Sequence, residues 1–242
     1  MYAREVQGEV HTFGVSGKLI MNAMVMYDHQ TRTLWSQFLG KAVKGELAGV
    51  ELDFLPVTQT QWSLWRETHP DTLALNKGGR YRFDTCDNYY RGGSAGVLGE
   101  TRSDDRLDRK TLVAGVALGG SAKAYPFDLL LETPVVNDSL GGGNVLVYME
   151  PETETALVYD REIDGRVLTF SMAEGGRGVL AVLVDAETGS RWVALTGKAI
   201  DGPLKGTVLN RAPSHLSFWF AWKDWNPDTE LYVGLVSPPA QG

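Results

Sequence analysis

Arg4-Glu5-Val6-Gln7-Gly8 recurs as Arg161-Glu162-Ile163-Asp164-Gly165, a displacement of 161 − 4 = 157 residues. The same displacement carries Thr12-Phe13 onto Thr169-Phe170, Asp28 and Trp35 onto Asp185 and Trp192, and Gly40-Lys41-Ala42 onto Gly197-Lys198-Ala199. It continues through Gly45, Leu47 and Gly49 onto Gly202, Leu204 and Gly206. It ends with Trp62, Trp65 and Pro70-Asp71-Thr72 on Trp219, Trp222 and Pro227-Asp228-Thr229. No gap is needed, and roughly a third of the positions are identical, which marks an internal repeat. Within each copy, glycines at turn positions separate short apolar, β-branched segments.

The fold class expected is α+β, predominantly β, with pseudo-duplicated β-rich modules each closed by a short helix covering one side of its sheet. Ala156 to Asp160 and Arg166 to Phe170 read as strands joined through Asp164-Gly165, and Val145 to Tyr148 and Leu180 to Val184 as further strands. Thr58 and Ser214 are the expected N-caps of helices over Gln61 to Thr68 and Phe218 to Trp225, which Pro70 and Pro227 stop. Residues 1–75 form a first, half module. Residues 76–108, with Gly78-Gly79, Gly92-Gly93 and Asp104-Asp105-Arg106, form a polar glycine-rich connection, and 109–242 a second, complete module. The second module opens with a hairpin through Gly119-Gly120, a helix from Tyr125-Pro126-Phe127, and Val135-Val136-Asn137-Asp138 before Gly141-Gly142-Gly143.

Composition excludes several classes. The chain has 242 residues, 43% of them hydrophobic and 22% charged, ample for a sizeable core. Apolar runs such as Val179 to Val184 are far too short to span a bilayer as a helix. A net charge of −7 argues against nucleic acid, and a single cysteine forbids an internal disulfide or a multi-cysteine zinc site. Arg4 and Glu5 follow Met1 with no apolar stretch, so no secretory leader is expected on the sequence as given.

Phe13-Gly14-Val15-Ser16-Gly17, Met26-Tyr27-Asp28, Leu34-Trp35-Ser36-Gln37 and His69-Pro70-Asp71-Thr72 resemble the bacterial and archaeal family known as domain of unknown function 3179. Ala124-Tyr125-Pro126, Val136-Asn137-Asp138 and Phe218-Trp219-Phe220-Ala221-Trp222 are similar to its second half, so the resemblance covers essentially the whole chain. It implies two tandem modules, no settled activity, and an extracytoplasmic setting, against the cytoplasmic one expected of a chain without a leader. It also implies an upstream Cys-Pro-x-Cys-Gly half of the first module, which this sequence does not contain. That half is then lost or supplied by a partner, and an unpaired half-module favours homo-oligomers.

Differences between the copies point to candidate sites. Copy one alone carries Ser16, Asn22, Tyr27, Ser36, Gln37 and His69, where copy two has Ala173, Val179, Val184, Val193, Ala194 and Asn226. Ser16, Asn22, Tyr27, Asp28, Ser36 and Gln37 are therefore the expected ligand-binding set. Asp28, matched by Asp185, also reads as the start of a turn at Thr31, as Asp185 does at Thr188. A hydrolytic triad could be drawn from Ser16, a histidine such as His69, and Asp28, although Gly14-Val15-Ser16-Gly17 is not a nucleophile elbow. His11, His29, His69 and His215 contain no metal-binding pair, so no metal is expected, although Asp28, Gln37 and Asn22 could hold calcium or a sugar hydroxyl. Six of the seven tryptophans fall in matched pairs, which suits core packing. Cys86, beside Asp84 and Asp87, is disfavoured as a nucleophile, because adjacent carboxylates raise a thiol pKa.

Three functions remain open at this stage: a small-ligand or carbohydrate-binding module with its site on the first copy, a hydrolytic or metal-assisted enzyme using the same site, and a scaffold without one. No cofactor is indicated.

Overall fold

The computed structural model describes residues 1–76, 78 and 86–234; Gly79 and Asp84, read above as part of the connection, lie outside them. The fold is predominantly β. Among the described residues the α-helices are α1 (Trp62–Thr68), α2 (Asp87–Arg91), α3 (Phe127–Glu132) and α4 (Trp219–Trp225). The chain forms two compact units. The first contains Met1–Val57, Gly92–Lys110 and Phe218–Pro227; the second contains Thr58–Arg91, Thr111–Ser217 and Asp228–Gly242.

In the first unit a two-residue hairpin, β1 (Glu5–Val6) and β2 (Glu9–Val10), turns through Gln7-Gly8, both at positive φ. Strands β3 (Phe13–Ile20), β4 (Ala23–Asp28), β5 (Leu34–Ser36) and β6 (Lys41–Lys44) follow as an antiparallel sheet in that order. Alternation sends Val25 to one face and Met26 and Asp28 to the other. Trp35, Val6, Ala42 and Leu52 form the buried centre, with Tyr2, Phe13, Met26, Leu47 and Val50 packed round it. The register of β3 on β4 slips between Val15 and Lys18, a bulge that occupies Ser16-Gly17.

The irregular segment Gly92–Lys110 is tied down by side chains. Asn22 Nδ2 donates to Gly99 O at 2.6 Å and its Oδ1 accepts Leu98 N at 2.8 Å. From α4, Asp224 accepts the N–H groups of Thr101 and Arg102, and the buried Lys223 Nζ lies 3.0 Å from Glu100 Oε2. Phe38 stacks on Trp225 with ring centroids 5.1 Å apart.

In the second unit β7 (Leu112–Leu118) and β8 (Ser121–Pro126) form the hairpin expected through Gly119-Gly120. β9 (Val135–Leu140), β10 (Gly143–Glu150) and β11 (Thr155–Asp160) form a three-stranded sheet with β10 in the middle. β12 (Glu162–Ile163) and β13 (Arg166–Val167) flank Asp164-Gly165. β14 (Phe170–Met172), β15 (Val182–Asp185), β16 (Arg191–Val193) and β17 (Lys198–Asp201) make a four-stranded sheet. β18 (Ser214–Phe218) joins β7, and β19 (Glu230–Leu231) runs parallel to β8.

Strand β10 is apolar on both faces, as a strand buried on both sides must be. Val145, Val147 and Met149 enter one core with Tyr125, Leu130 and Val158, while Leu146 and Tyr148 enter another with Trp192, Phe170 and Leu183. Asn137 fastens β9 to β14: its Nδ2 donates to Phe170 O and its Oδ1 accepts Phe170 N, each at 2.8 Å.

Four local expectations change. Ser214 lies in β18, and the residue before α4 is Phe218, with no side-chain cap; likewise Gln61, not Thr58, precedes α1. α4 buries Trp219, Phe220 and Trp222, whereas α1 buries Leu64. The Asp164-Gly165 turn is real, but the strands it joins are two residues each, and β11 pairs with β10. Gly178–Leu180 is a 3₁₀ turn rather than the start of a strand, because Gly178 takes a positive φ that breaks extension. Finally, α1 falls in the second unit and α4 in the first, so neither helix belongs to the unit of the sheet it follows.

Candidate functional site

Three hairpin turns share one construction. Asp28 accepts Thr31 N at 2.5 Å and Thr31 Oγ1 at 2.9 Å, and Thr31 Oγ1 in turn meets Thr33 Oγ1 at 2.7 Å. Asp185 does the same with Thr188 N (2.6 Å) and Oγ1 (2.8 Å), and Thr188 meets Ser190 at 2.7 Å. The third instance, which the repeat did not disclose, is Glu150, accepting Thr153 N at 2.7 Å and Thr153 Oγ1 at 2.6 Å, with Thr153 then 2.8 Å from Thr155 Oγ1. The spacing acid-x-x-Thr-x-Thr/Ser serves all three because the carboxylate closes the loop while the residue after the first threonine takes positive φ: Arg32, Gly189 and Glu154.

All three carboxylates belong to fully buried residues, but their surroundings differ. Trp35 Nε1 donates to Asp28 Oδ2 at 2.9 Å and Trp192 Nε1 to Asp185 Oδ2 at 2.8 Å. Burial pushes the Asp28 carboxyl up, but the Trp35 and Thr31 donors, with His11 nearby, hold it below its ordinary value. Seven residues beyond Glu150 stands Leu157, which has no such donor; besides the Thr153 N–H and hydroxyl the Glu150 carboxylate accepts Glu152 N, at 3.2 Å. Among the described residues it has no ion-pair partner.

Glu150 lines a cavity of about 270 Å³ in the second unit, just below the usual range for small-molecule pockets. Its apolar walls are Pro134, Met149, Pro151, Met172 and Ala181, with Tyr148 beside them; Glu152 and Arg177 bring charge of both signs. Burial raises the Tyr148 phenol well above its ordinary value, so it stays neutral. The remaining wall is the loop after β14. Glu174-Gly175-Gly176-Arg177-Gly178 leaves the sheet at Met172 with Gly175 and Gly178 at positive φ, and a Cβ on Gly176 would strike Leu180 O. The positions 157 residues earlier, Gly17 to Met21, continue β3 into a tight turn instead.

The first-copy residues singled out in the sequence are distributed as follows. Ser16 Oγ donates to Val25 O at 2.6 Å, across the bulge. Asn22 clamps the Gly92–Lys110 segment. Tyr27 covers Gly14, has the His29 ring tilted against it at 5.0 Å between centroids and carries Arg32 over its ring at 4.4 Å. Asp28 closes its turn, and the buried Ser36 Oγ accepts Leu39 N at 3.3 Å. Gln37 is exposed. His69 falls in the second unit, stacked on Trp65 at 3.9 Å and bonded to Thr68 Oγ1. The histidine that does stand beside Asp28 is His11, whose Nδ1 lies 3.6 Å from Asp28 Oδ1, beyond hydrogen-bond range. Trp35, Trp192, Trp219 and Trp222 are fully buried, while Trp62 is 49% exposed. Among the described residues no group of three or more His, Cys, Asp and Glu side chains is arranged to hold a metal ion.

Polar residues unique to the second copy, Glu174 and Arg177 opposite Gly17 and Ile20, are the signal in the sequence for the cavity loop.

The motif residues of the second half also converge. Tyr125 OH donates to Asp138 Oδ2 at 3.0 Å, and Lys123 Nζ lies 2.7 Å from the same oxygen. Burial raises the Asp138 carboxyl, but Lys123, the Ser139 N–H and Tyr125 lower it further, so it stays ionised. Burial and the facing Asp138 push the Tyr125 phenol far up. The cluster joins β8 to β9 as a structural tie.

Fold and site together define a predominantly β protein whose second unit holds a small, mostly apolar cavity lined also by the charged Glu152 and Arg177. The chain belongs to the family described as Protein of unknown function (DUF3179), whose model matches residues 1–229. No curated protein and no solved structure matches it. Among the described residues no helix is long and apolar enough to cross a membrane.

Proposed function

We propose that the protein is a small-ligand-binding module whose site is the cavity of the second unit. The observation that carries this reading is the combination of apolar walls with the exposed, charged Glu152 and Arg177 in the same lining. Ser16, Asn22, Asp28 and Ser36 direct their polar groups into their own unit, which favours the cavity over the first-copy patch. A ligand-observed NMR screen of small molecules tests it: binders are expected with the wild type and are lost in Met172→Trp, which fills the mouth. Binders that ignore Met172→Trp, or a screen without binders, would defeat the reading.

The architecture behind it is a duplicated module. Supporting this, β12, β13, β16, β17 and α4 lie 157 residues beyond β1, β2, β5, β6 and α1, end for end. The bridges Lys41↔Glu51 and Tyr2↔Phe54 likewise correspond to Lys198↔Val208 and Tyr159↔Arg211. One difference favours association with a second copy of the chain. Phe170, Ala181, Leu183 and Ala194 are buried, whereas Phe13, Met24 and Met26 at the corresponding positions are half-buried and Gln37 is exposed. Sedimentation velocity should show a dimer that Met26→Lys dissociates; a wild-type monomer contradicts this part.

A further inference from the structure

The association of copies stated above has a face and a symmetry, and this step rests on that reading. The acid-x-x-Thr turn at Glu150 stands 150 − 28 = 122 residues after the one at Asp28 and 185 − 150 = 35 residues before the one at Asp185. The strands round it keep the first spacing. β9 begins 122 residues after β3, and Ala23–Asp28 and Leu34–Ser36, displaced by 122, fall within β10 and β11. Strands β9–β11 are therefore a third meander of the same build. In the second unit this meander contributes Val135, Leu146, Tyr148, Leu157 and Tyr159 to one core. Sharing that core are Phe170, Ala181, Leu183, Trp192 and Ala194, each 35 residues further on. Equivalent faces of two like meanders thus meet, as the two sides of an isologous two-fold contact do. A residue at the axis of such a contact meets its own equivalent, and Tyr159 OH donates to Ala194 O at 2.9 Å.

In the first unit the same five positions are Phe13, Met24, Met26, Trp35 and Gln37. Trp35 is buried, but Phe13, Met24 and Met26 are half-buried and Gln37 is exposed. The register sets Val15 opposite Met26 and Leu19 opposite Met24, so both extend this face, and they are 69% and 39% exposed. A contiguous apolar sheet face of this kind marks an interaction surface. We propose that it binds the same face of a second copy of the chain, about a two-fold axis passing beside Gln37. The occupant is a second copy because this meander face is its own complement: β9–β11 and β14–β17 pair it with its equivalent inside one chain. Gln37 takes the place held there by Tyr159 and Ala194, so the two Gln37 side chains lie close across the axis. Met24 and Met26 supply the adaptable apolar contact beside them.

Thiol crosslinking of the full chain, read beside sedimentation velocity, tests this. With Cys86→Ser removing the exposed native thiol, Gln37→Cys should be joined into a covalent dimer by a short bis-maleimide. Glu46→Cys, exposed elsewhere in the first unit, should stay uncrosslinked. Adding Val15→Lys, a change at an exposed position of the face, should abolish the Gln37→Cys crosslink and leave a monomer. If the protein sediments as a dimer but Gln37→Cys crosslinks no better than Glu46→Cys, or crosslinks undiminished with Val15→Lys, the face and its axis are overturned while association stands. A wild type that sediments as a monomer overturns both.

Discussion

Replacing Asp28 by alanine tests the turn on which the first sheet depends. Three donors lose their acceptor: the Trp35 indole N–H, the Thr31 N–H and the Thr31 hydroxyl. The hydroxyl keeps Thr33 Oγ1, and the Thr31 N–H is near enough to the surface to find water, so their combined cost is about 1 kcal/mol. Trp35 is fully buried, and orphaning its N–H costs about 1–3 kcal/mol. The sum, roughly 2–4 kcal/mol, is large for a single substitution and belongs to the class of broken buried networks. Urea unfolding followed by circular dichroism measures it. The sharper readout is the double mutant Asp28→Ala with Trp35→Phe, which removes the orphan along with its acceptor. The two substitutions should therefore be less than additive by about 1–2 kcal/mol. Asp185→Ala with Trp192→Phe should reproduce the pattern in the second unit, since its bonds match within 0.1 Å for the indole contact (2.8 against 2.9 Å). A cost below about 0.5 kcal/mol for Asp28→Ala, or strict additivity, would refute the reasoning.

Further outcomes follow from the same geometry. Gly189→Ala should destabilise by about 1 kcal/mol in thermal melts, because a Cβ there meets no atom and only the positive φ of 70° penalises it. Glu154→Gly, at the corresponding position of the third turn, should gain up to about 1 kcal/mol by relieving a left-handed non-glycine residue. The Asp28 and Asp138 carboxyls are held below their ordinary values in the folded state. Their contribution is therefore complete above the unfolded carboxylate range and is lost as pH falls through the folded values. Urea midpoints should decline below about pH 4, less steeply in Asp28→Ala. Lys223→Met removes a buried cation from Glu100, which keeps Arg109 at 2.7 Å; a loss of about 1–3 kcal/mol and faster proteolysis within Gly92–Lys110 are expected.

Much of the β framework was legible in the sequence because glycine positions and the acid-x-x-Thr turns are local signals. The Gly119-Gly120 hairpin, the helix after Pro126 and the turn at Asp28 depend only on residues a few places apart. What escaped was non-local. That β11 pairs with β10 depends on the two-sided burial of β10, whose alternate residues enter different cores. The assignment of α1 and α4 to units depends on where Leu64 of the one and Trp219 and Trp222 of the other are buried, and nothing in Trp62 to Thr68 encodes that partner. For the candidate site, Ser16, Asn22, Asp28 and Ser36 of copy one hydrogen-bond within the first unit, Asn22 over a separation in sequence that its neighbours do not signal, while Arg177 lies in the stretch where copy two departs from copy one.

The most direct test of the central claim, that the second-unit cavity is the ligand site, is an assigned ¹H–¹⁵N shift map of the protein titrated with a binder from the NMR screen. Shifts confined to Tyr148–Glu152 and Met172–Ala181, and absent in Met172→Trp, are the expected result. Shifts centred on Ser16, Tyr27 and Gln37, with the cavity residues unmoved, would contradict it.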